Sequence, residues 1–311
     1  MRFLIALIAT AFCVTGVRAE TTLEQSALDL YQSLSAEQKK EVTLPFDSPE
    51  RKAEVFPPGK RPGIQLKDLT DAQREKALGL IRGFVSDYGW EKAQAIAQQG
   101  EAGGLGRYYL TYFGEPGAKK DFAWRIAEHH LTLVDVEYGD GKIRSVGPIL
   151  QGANPANLWN DEEDKLIALF ATLSPAEKEK AVRKGKGISA EPMKDYGIAV
   201  SDLTTDGQKK VQEVFESRLK FFSSAIADRI NQLLQEQGGL KSLRIVYWNE
   251  ATKRCADGGR WDFKLGSANF LCDYESSRGH IHLSVKASEP GAAGGAGGAG
   301  AGGGGAGAAG K

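Results

Sequence analysis

Four stretches of the chain share one polar-to-apolar signature: LSAEQKKEV from Leu34, LTDAQREKALGLI from Leu69, LSPAEKEKAV from Leu173 and LTTDGQKKVQEVF from Leu203. In each, a leucine is followed by a hydroxyl residue with Gln or Glu three positions further on. That spacing is a capping box, in which the hydroxyl accepts from a first-turn amide and the Gln or Glu reaches back to the N–H of the cap. The pairs are Ser35 with Gln38, Thr70 with Gln73, Ser174 with Glu177 and Thr205 with Gln208. Pro175 is a further start signal, because the first helical position has no use for an N–H. Around these starts the sequence predicts helices over 23–33, 70–85, 89–98, 160–171, 175–184 and 205–237. The longest carries Val211, Val214, Phe215, Leu219, Phe222, Ile226, Ile230, Leu233 and Leu234 on one stripe, the spacing of a helix with one buried face. The likeness of 69–81 to 203–215 hints at an internal duplication, although capping chemistry alone can generate it.

Elsewhere the period shortens to two and the residues become aromatic and β-branched. Strands are expected in GRYYLTYFG (106–114), FAWRIAEHHLTLVDVEY (122–138), SLRIVYWNE (242–250), RWDFKLG (260–266), NFLCDYE (269–275) and HIHLSVKA (280–287). A Gly-Asp-Gly turn after 138, followed by KIRSVGPILQGA, reads as a hairpin. Adjacent strands with short turns, set apart from runs of helix, give an α+β fold: an antiparallel or mixed sheet with helices grouped on one side, in a single domain.

The ends do not read as fold. Residues 1–19, with Arg2, an apolar run and a small-residue exit at Ala19, have the pattern of a secretory signal peptide. That run is short for a membrane span, and no later stretch qualifies. Residues 289–311 are a Gly/Ala-rich tail without period, which cannot bury a core. The single domain is therefore expected over 20–288, in a secreted or periplasmic protein. The 40 basic and 40 acidic residues balance, and losing Arg2 and Arg18 leaves 38 against 40. A nucleic-acid partner, which needs a basic stripe, is not indicated. Cys13 departs with the leader. Cys255 and Cys272 remain, and a lone pair in an exported chain reads as a disulfide.

The chain has four histidines, in two doublets: His129–His130 and His280-x-His282. On a strand, alternate side chains share a face. His280 and His282 can therefore present two imidazoles to one metal ion, whereas His129 and His130 serve one site only if a bulge re-aims one of them. Glu128 and His130 share a face, with Arg125 and His129 on the other. Convergence of the two doublets would place His130, His280 and His282 on a metal. Glu128 or His129 would then be ligand or general base, and Arg125 would hold an anionic group. Imidazole and carboxylate suit divalent Zn, Cu, Mn or Fe.

Several segments together, SPER (48–51), RPGIQLKDLTDAQREKALGLI (61–81), YYLTYFGEP (108–116), FAWRIAEHHLTL (122–133) and GPILQGANPA (147–156), resemble the mostly bacterial family termed domain of unknown function 3500. The likeness spans about residues 30 to 285. The Trp-Arg-x-x-x-His-His block is its most specific part, and the matching polar positions are Arg125, His129, His130, His280 and His282. The resemblance implies export and no particular reaction. One departure stands out: family members continue past His-x-His with a Trp-Arg-Asp segment, whereas here LSVKASEPG runs into the tail.

The functional expectation is an exported metal-dependent enzyme, a hydrolase or oxidoreductase, acting on a small-molecule or polymeric extracellular substrate. Two other readings stay open. One is a non-catalytic binding module for carbohydrate or peptide, using a cleft walled by Trp124, Tyr108, Tyr112 and Trp248. The other is a structural component of the cell envelope.

Overall fold

A computed structural model describes residues 22–53, 58–99, 103–185, 193, 196–277 and 279–290. The expected signal peptide and nearly all of the Gly/Ala tail lie outside the described residues. No described helix is long and apolar enough to cross a membrane.

The chain runs through the same order of elements twice. The first pass is α1 (Leu23–Gln32), α2 (Ala36–Val42), β1 (Thr43–Leu44), β2 (Ile64–Gln65), α3 (Asp71–Phe84), α4 (Asp87–Gln98), β3 (Tyr109–Phe113), β4 (Phe122–Glu128), β5 (Leu131–Glu137) and β6 (Ser145–Ala153). The second is α5 (Asn160–Thr172), α6 (Pro175–Ala181), β7 (Val182–Arg183), β8 (Ile198–Ala199), α7 (Thr205–Leu219), α8 (Ser224–Gln235), β9 (Arg244–Trp248), β10 (Asp262–Gly266), β11 (Phe270–Ser277) and β12 (His280–Ser288). Pairing repeats as well. β1 lies parallel and β2 antiparallel to β3, as β7 and β8 do to β9. The halves meet where β6 pairs antiparallel with β12. The result is one mixed sheet in the order β1-β3-β4-β5-β6-β12-β11-β10-β9-β7, which reads equivalently from either edge. A pseudo-two-fold axis therefore passes between β6 and β12. α3 and α7, whose starts look alike in sequence, are its equivalent helices.

Matching contacts support the repeat. The Tyr112 hydroxyl donates to the Ala27 carbonyl and the Tyr247 hydroxyl to that of Leu166, both at 2.8 Å. At the axis, the Ser86 N–H donates to the Phe221 carbonyl and the Ser223 N–H to that of Phe84, each at 3.0 Å. This crossing, with Val85 bridged to Phe222, breaks the helix expected over 205–237 into α7 and α8. Phe221 and Phe222 continue the apolar stripe, so periodicity gives no sign of the break. Gly89 is required there, because a Cβ would lie 1.9 Å from the Phe221 oxygen.

Three capping boxes form as expected, at Ser35, Thr70 and Ser174. The fourth is displaced by one residue: Thr204 caps α7, accepting from the Gly207 N–H, and no reciprocal bond returns. The helices cover one face of the sheet. Trp124, Ile126, Leu133, Ile149, Ile281, Leu283, Phe263 and Leu265 fill the main core beneath them. Smaller apolar clusters lie elsewhere: Phe113, Ala123, Val134 and Val136 in the first half, Met193, Val246 and Trp248 in the second.

Two further expectations are corrected. The run 122–138 is not one strand but the hairpin β4–β5, with Glu128 paired to Leu131 and the His129–His130 doublet forming its two-residue turn. The disulfide does not form. Cys272 on β11 is buried facing Arg218 of α7, while Cys255 sits in a loop whose N–H is held by Glu163 at 2.6 Å. The strand register thus points the two thiols into different contacts. Glu163 also accepts from the Tyr274 hydroxyl, so the acids that open α5 anchor this loop as well as favouring the helix dipole.

Candidate metal centre

The site grows from the β4–β5 turn. His130 has φ 66, in the left-handed region, a conformation that costs a non-glycine residue about 1 kcal/mol or more. Its carbonyl accepts from the Gly152 N–H at 2.7 Å, which ties the turn to β6. With its backbone so turned, the His130 ring lies over β6 where Gly152 leaves room. A Cβ at Gly152 would stand 2.7 Å from Cδ2 and 3.0 Å from Cγ of that ring. The His129 carbonyl is held by the Tyr108 hydroxyl at 3.0 Å.

The second doublet arrives from the start of β12. His280 and His282 share a face there, and Ile281 turns into the helix-side core. In register, Gly152, His282 and Glu275 lie side by side on β6, β12 and β11. Glu275 accepts from His282 Nδ1 at 3.1 Å, which places the proton on Nδ1 and the basic lone pair on Nε2.

The four imidazoles converge. Ring centroids are 3.7 Å apart for His129–His130, 4.5 Å for His130–His280, 4.5 Å for His280–His282 and 5.5 Å for His130–His282. His130 Nε2 and His280 Nε2 stand 2.5 Å apart. One nitrogen each from His129, His130 and His280 lies within 4.8 Å of the others, so these three can hold a metal ion. Zinc–imidazole bonds of about 2.0–2.1 Å in a tetrahedron set donor nitrogens about 3.3 Å apart. The His130–His280 pair needs to open by about 0.8 Å to reach that value.

The electrostatics agree with ligation. Burial, with the other three histidines adding to it, pushes His130 down to about 2. Burial, then His282 and His129, push His280 to about 4 against the pull of Glu275. His129 is lowered by burial although Glu128 opposes this. The three are therefore neutral at pH 7, the form in which imidazole binds a metal. His130 is buried, and His129 and His280 are half-buried, so the cluster opens to solvent through them.

The structure separates the remaining predicted residues from this group. Arg125 takes no part in it. It is fully buried, packed over Phe113, with Nη1 donating to the Glu50 carbonyl at 2.5 Å and Nη2 3.4 Å from the Glu50 carboxylate. Its role there is to fasten the 49–52 segment to β4. Glu128 lies outside the donor group, in a neighbouring cleft, where it accepts from the Gly59 N–H at 3.1 Å and faces Arg107 at 3.8 Å. His282 flanks the trio, and His129, expected as ligand or general base, is one of its three donors. Tyr108, Tyr112, Trp124 and Trp248 are all buried. Sequence reasoning missed Gly152, Glu275 and Arg107. Glu275 was within reach, since pairing HIHLSV with CDYESS in register sets it beside His282. Gly152 and Arg107 carry no local signal.

Comparison with known proteins places the chain at the family level. The family model described as Protein of unknown function (DUF3500) matches residues 18–290, so the chain belongs to that family. No curated protein and no solved structure matches it.

Proposed function

We propose that this member of the DUF3500 family is an exported metal-dependent enzyme whose His129, His130 and His280 hold one divalent ion. The single observation that carries the reading is the meeting of both histidine doublets, 150 positions apart in the chain, with His130 Nε2 against His280 Nε2. An all-imidazole set with no thiolate suits Zn(II) best, with Cu(II), Fe(II) and Mn(II) as lesser fits. Three protein ligands leave a fourth position to solvent, the arrangement of a catalytic rather than a structural site. A divalent ion there supplies a Lewis acid and activates water near neutral pH, which favours hydrolysis. His282, with Nδ1–H oriented by Glu275, is the general base beside the ion. His130 is held rigidly by its turn and by Gly152, so the donor set is organised before any ion arrives. The leader-like pattern of residues 1–19 supports export.

The test is metal analysis of the full chain purified without chelators, then loaded with zinc. About one ion per chain is expected. His130→Ala and His280→Ala should lose it, whereas His282→Ala should retain it and lose turnover. A protein lacking His129, His130 and His280 that keeps the same metal content would reject the assignment. Cell fractionation with intact-mass analysis tests export, the expected mature chain beginning at Glu20.

A further inference from the structure

Beside the histidines, at the same end of the sheet, is a cleft of about 360 Å³ lined by Gly59, Lys60, Gln65, Arg107, Tyr109 and Glu128. It shares a wall with the metal centre. Glu128 precedes His129 in the chain, and Tyr108, next to Arg107, holds the His129 carbonyl.

Its chemistry is unusual for a structural ion pair. Arg107 and Glu128 are both buried, and such a pair ordinarily closes to about 2.7–2.9 Å with parallel hydrogen bonds. Here Arg107 Nε stands 3.8 Å from Glu128 Oε2, and among the described residues neither atom has a hydrogen-bond partner. A buried donor and a buried acceptor left in that state each cost about 1–3 kcal/mol. The pair does not close because both members are tied elsewhere. Glu128 Oε1 accepts from the Gly59 N–H, and Arg107 Nη2 reaches the Ala97 carbonyl at 3.5 Å. Lys60 is exposed at the rim. Lys60 and Arg107 against Glu128 leave the lining with one net positive charge, and an ion held by neutral imidazoles adds two more.

Building on the metal reading, we propose that this cleft is the substrate subsite and that it takes a small hydroxylated carboxylate, of the hydroxy-acid or sugar-acid class. The guanidinium of Arg107 and the ammonium of Lys60 receive the carboxylate. Glu128 Oε2 accepts from a substrate hydroxyl, and Tyr109 forms the side wall. The cleft volume suits a molecule of that size, and Glu128, one residue before His129, sets the cleft beside the trio.

The test uses the full chain, metal-free and zinc-loaded, with gluconate, glucose and acetate as probes in saturation-transfer NMR and calorimetry. Gluconate should bind both forms, with glucose and acetate each weaker by about ten-fold or more, since each lacks one of the two recognised groups. Lys60→Gln should weaken gluconate about three- to ten-fold and Arg107→Lys about ten-fold, both with unchanged metal content. Should Arg107→Lys fail to fold, the exposed Lys60 carries the test. Equal affinity for glucose and gluconate, or gluconate binding indifferent to both variants, overturns the proposal. If binding needs zinc and ignores both variants, the anion sits on the ion; the cleft assignment then fails and the metal reading stands. If no metal binds yet gluconate still depends on Lys60 and Arg107, the reverse holds.

Discussion

Gly152→Ala is the sharpest probe of the metal centre, because it adds one methyl group and touches no candidate ligand chemically. Gly152 does not have a positive φ, so alanine is not excluded by its backbone. The added Cβ would meet His130 Cδ2 at 2.7 Å, His130 Cγ at 3.0 Å and the Ile281 carbonyl oxygen at 3.0 Å. The last is fixed by the β6–β12 pairing, so the ring must move. Restoring a carbon–carbon contact of about 3.5 Å takes a shift of about 0.8 Å. Donor positions in a metal site tolerate about 0.2 Å. Zinc affinity should therefore fall about 10- to 100-fold, roughly 1.4–2.8 kcal/mol. Global stability should fall by about 1–3 kcal/mol, the usual cost of overpacking. Competition with a chromophoric chelator reads the first, and urea denaturation of metal-free protein the second. Gly79→Ala, in α3 with nothing within 4 Å of the new Cβ, is the control; it should leave zinc affinity unchanged and stabilise by about 0.5–1 kcal/mol. A Gly152→Ala protein that binds zinc as tightly as the parent would refute the placement of the His130 ring.

Three other outcomes are expected. Arg125→Ala should leave metal content untouched while costing about 2–4 kcal/mol in denaturation, because it removes a buried side chain that packs on Phe113 and anchors Glu50; loss of metal in this variant would place Arg125 nearer the site than the structure does. Tyr112→Phe and Tyr247→Phe should each cost about 1–2 kcal/mol and add independently, since they remove equivalent hydroxyl-to-carbonyl bonds in the two repeats; strong non-additivity in urea melts would argue against separate repeats. In metal-free protein the pH dependence has two opposed parts. His130 and His280 are lowered by burial, the latter to about 4, so their contribution is present above 6.5 and is lost as pH falls. Glu137, raised to about 7 by burial and then Asp135 despite its pairing with Arg229, holds its proton in the fold, so its contribution fades as pH rises from 4.5. With two rising contributions against one falling, His280→Asn should therefore flatten the rise of stability between pH 4.5 and 6.5 and Glu137→Gln should steepen it; identical pH profiles for the two variants would discount both groups.

The sequence alone determined the elements whose causes are local. Capping boxes at Ser35, Thr70 and Ser174, Pro175 at a first turn and period-two runs in the strands depend on neighbours within four residues, and those elements stand where they were expected. The family was legible for a related reason, since its most specific block is the contiguous Trp-Arg-x-x-x-His-His. The histidines could be singled out as a group, and the face shared by His280 and His282 followed from strand alternation. Tertiary structure decided the rest. It folded 122–138 back on itself at His129–His130, which brought both imidazoles to one site that an unbroken strand would have divided. It cut 205–237 at Ser223, because that N–H is taken by Phe84 from the other repeat. It kept Cys255 and Cys272 apart and turned Arg125 and Glu128 away from the ligand group. Each of these depends on a partner dozens of residues distant, held by strand register and by contacts across the pseudo-two-fold axis, and periodicity within one segment carries no information about such a partner.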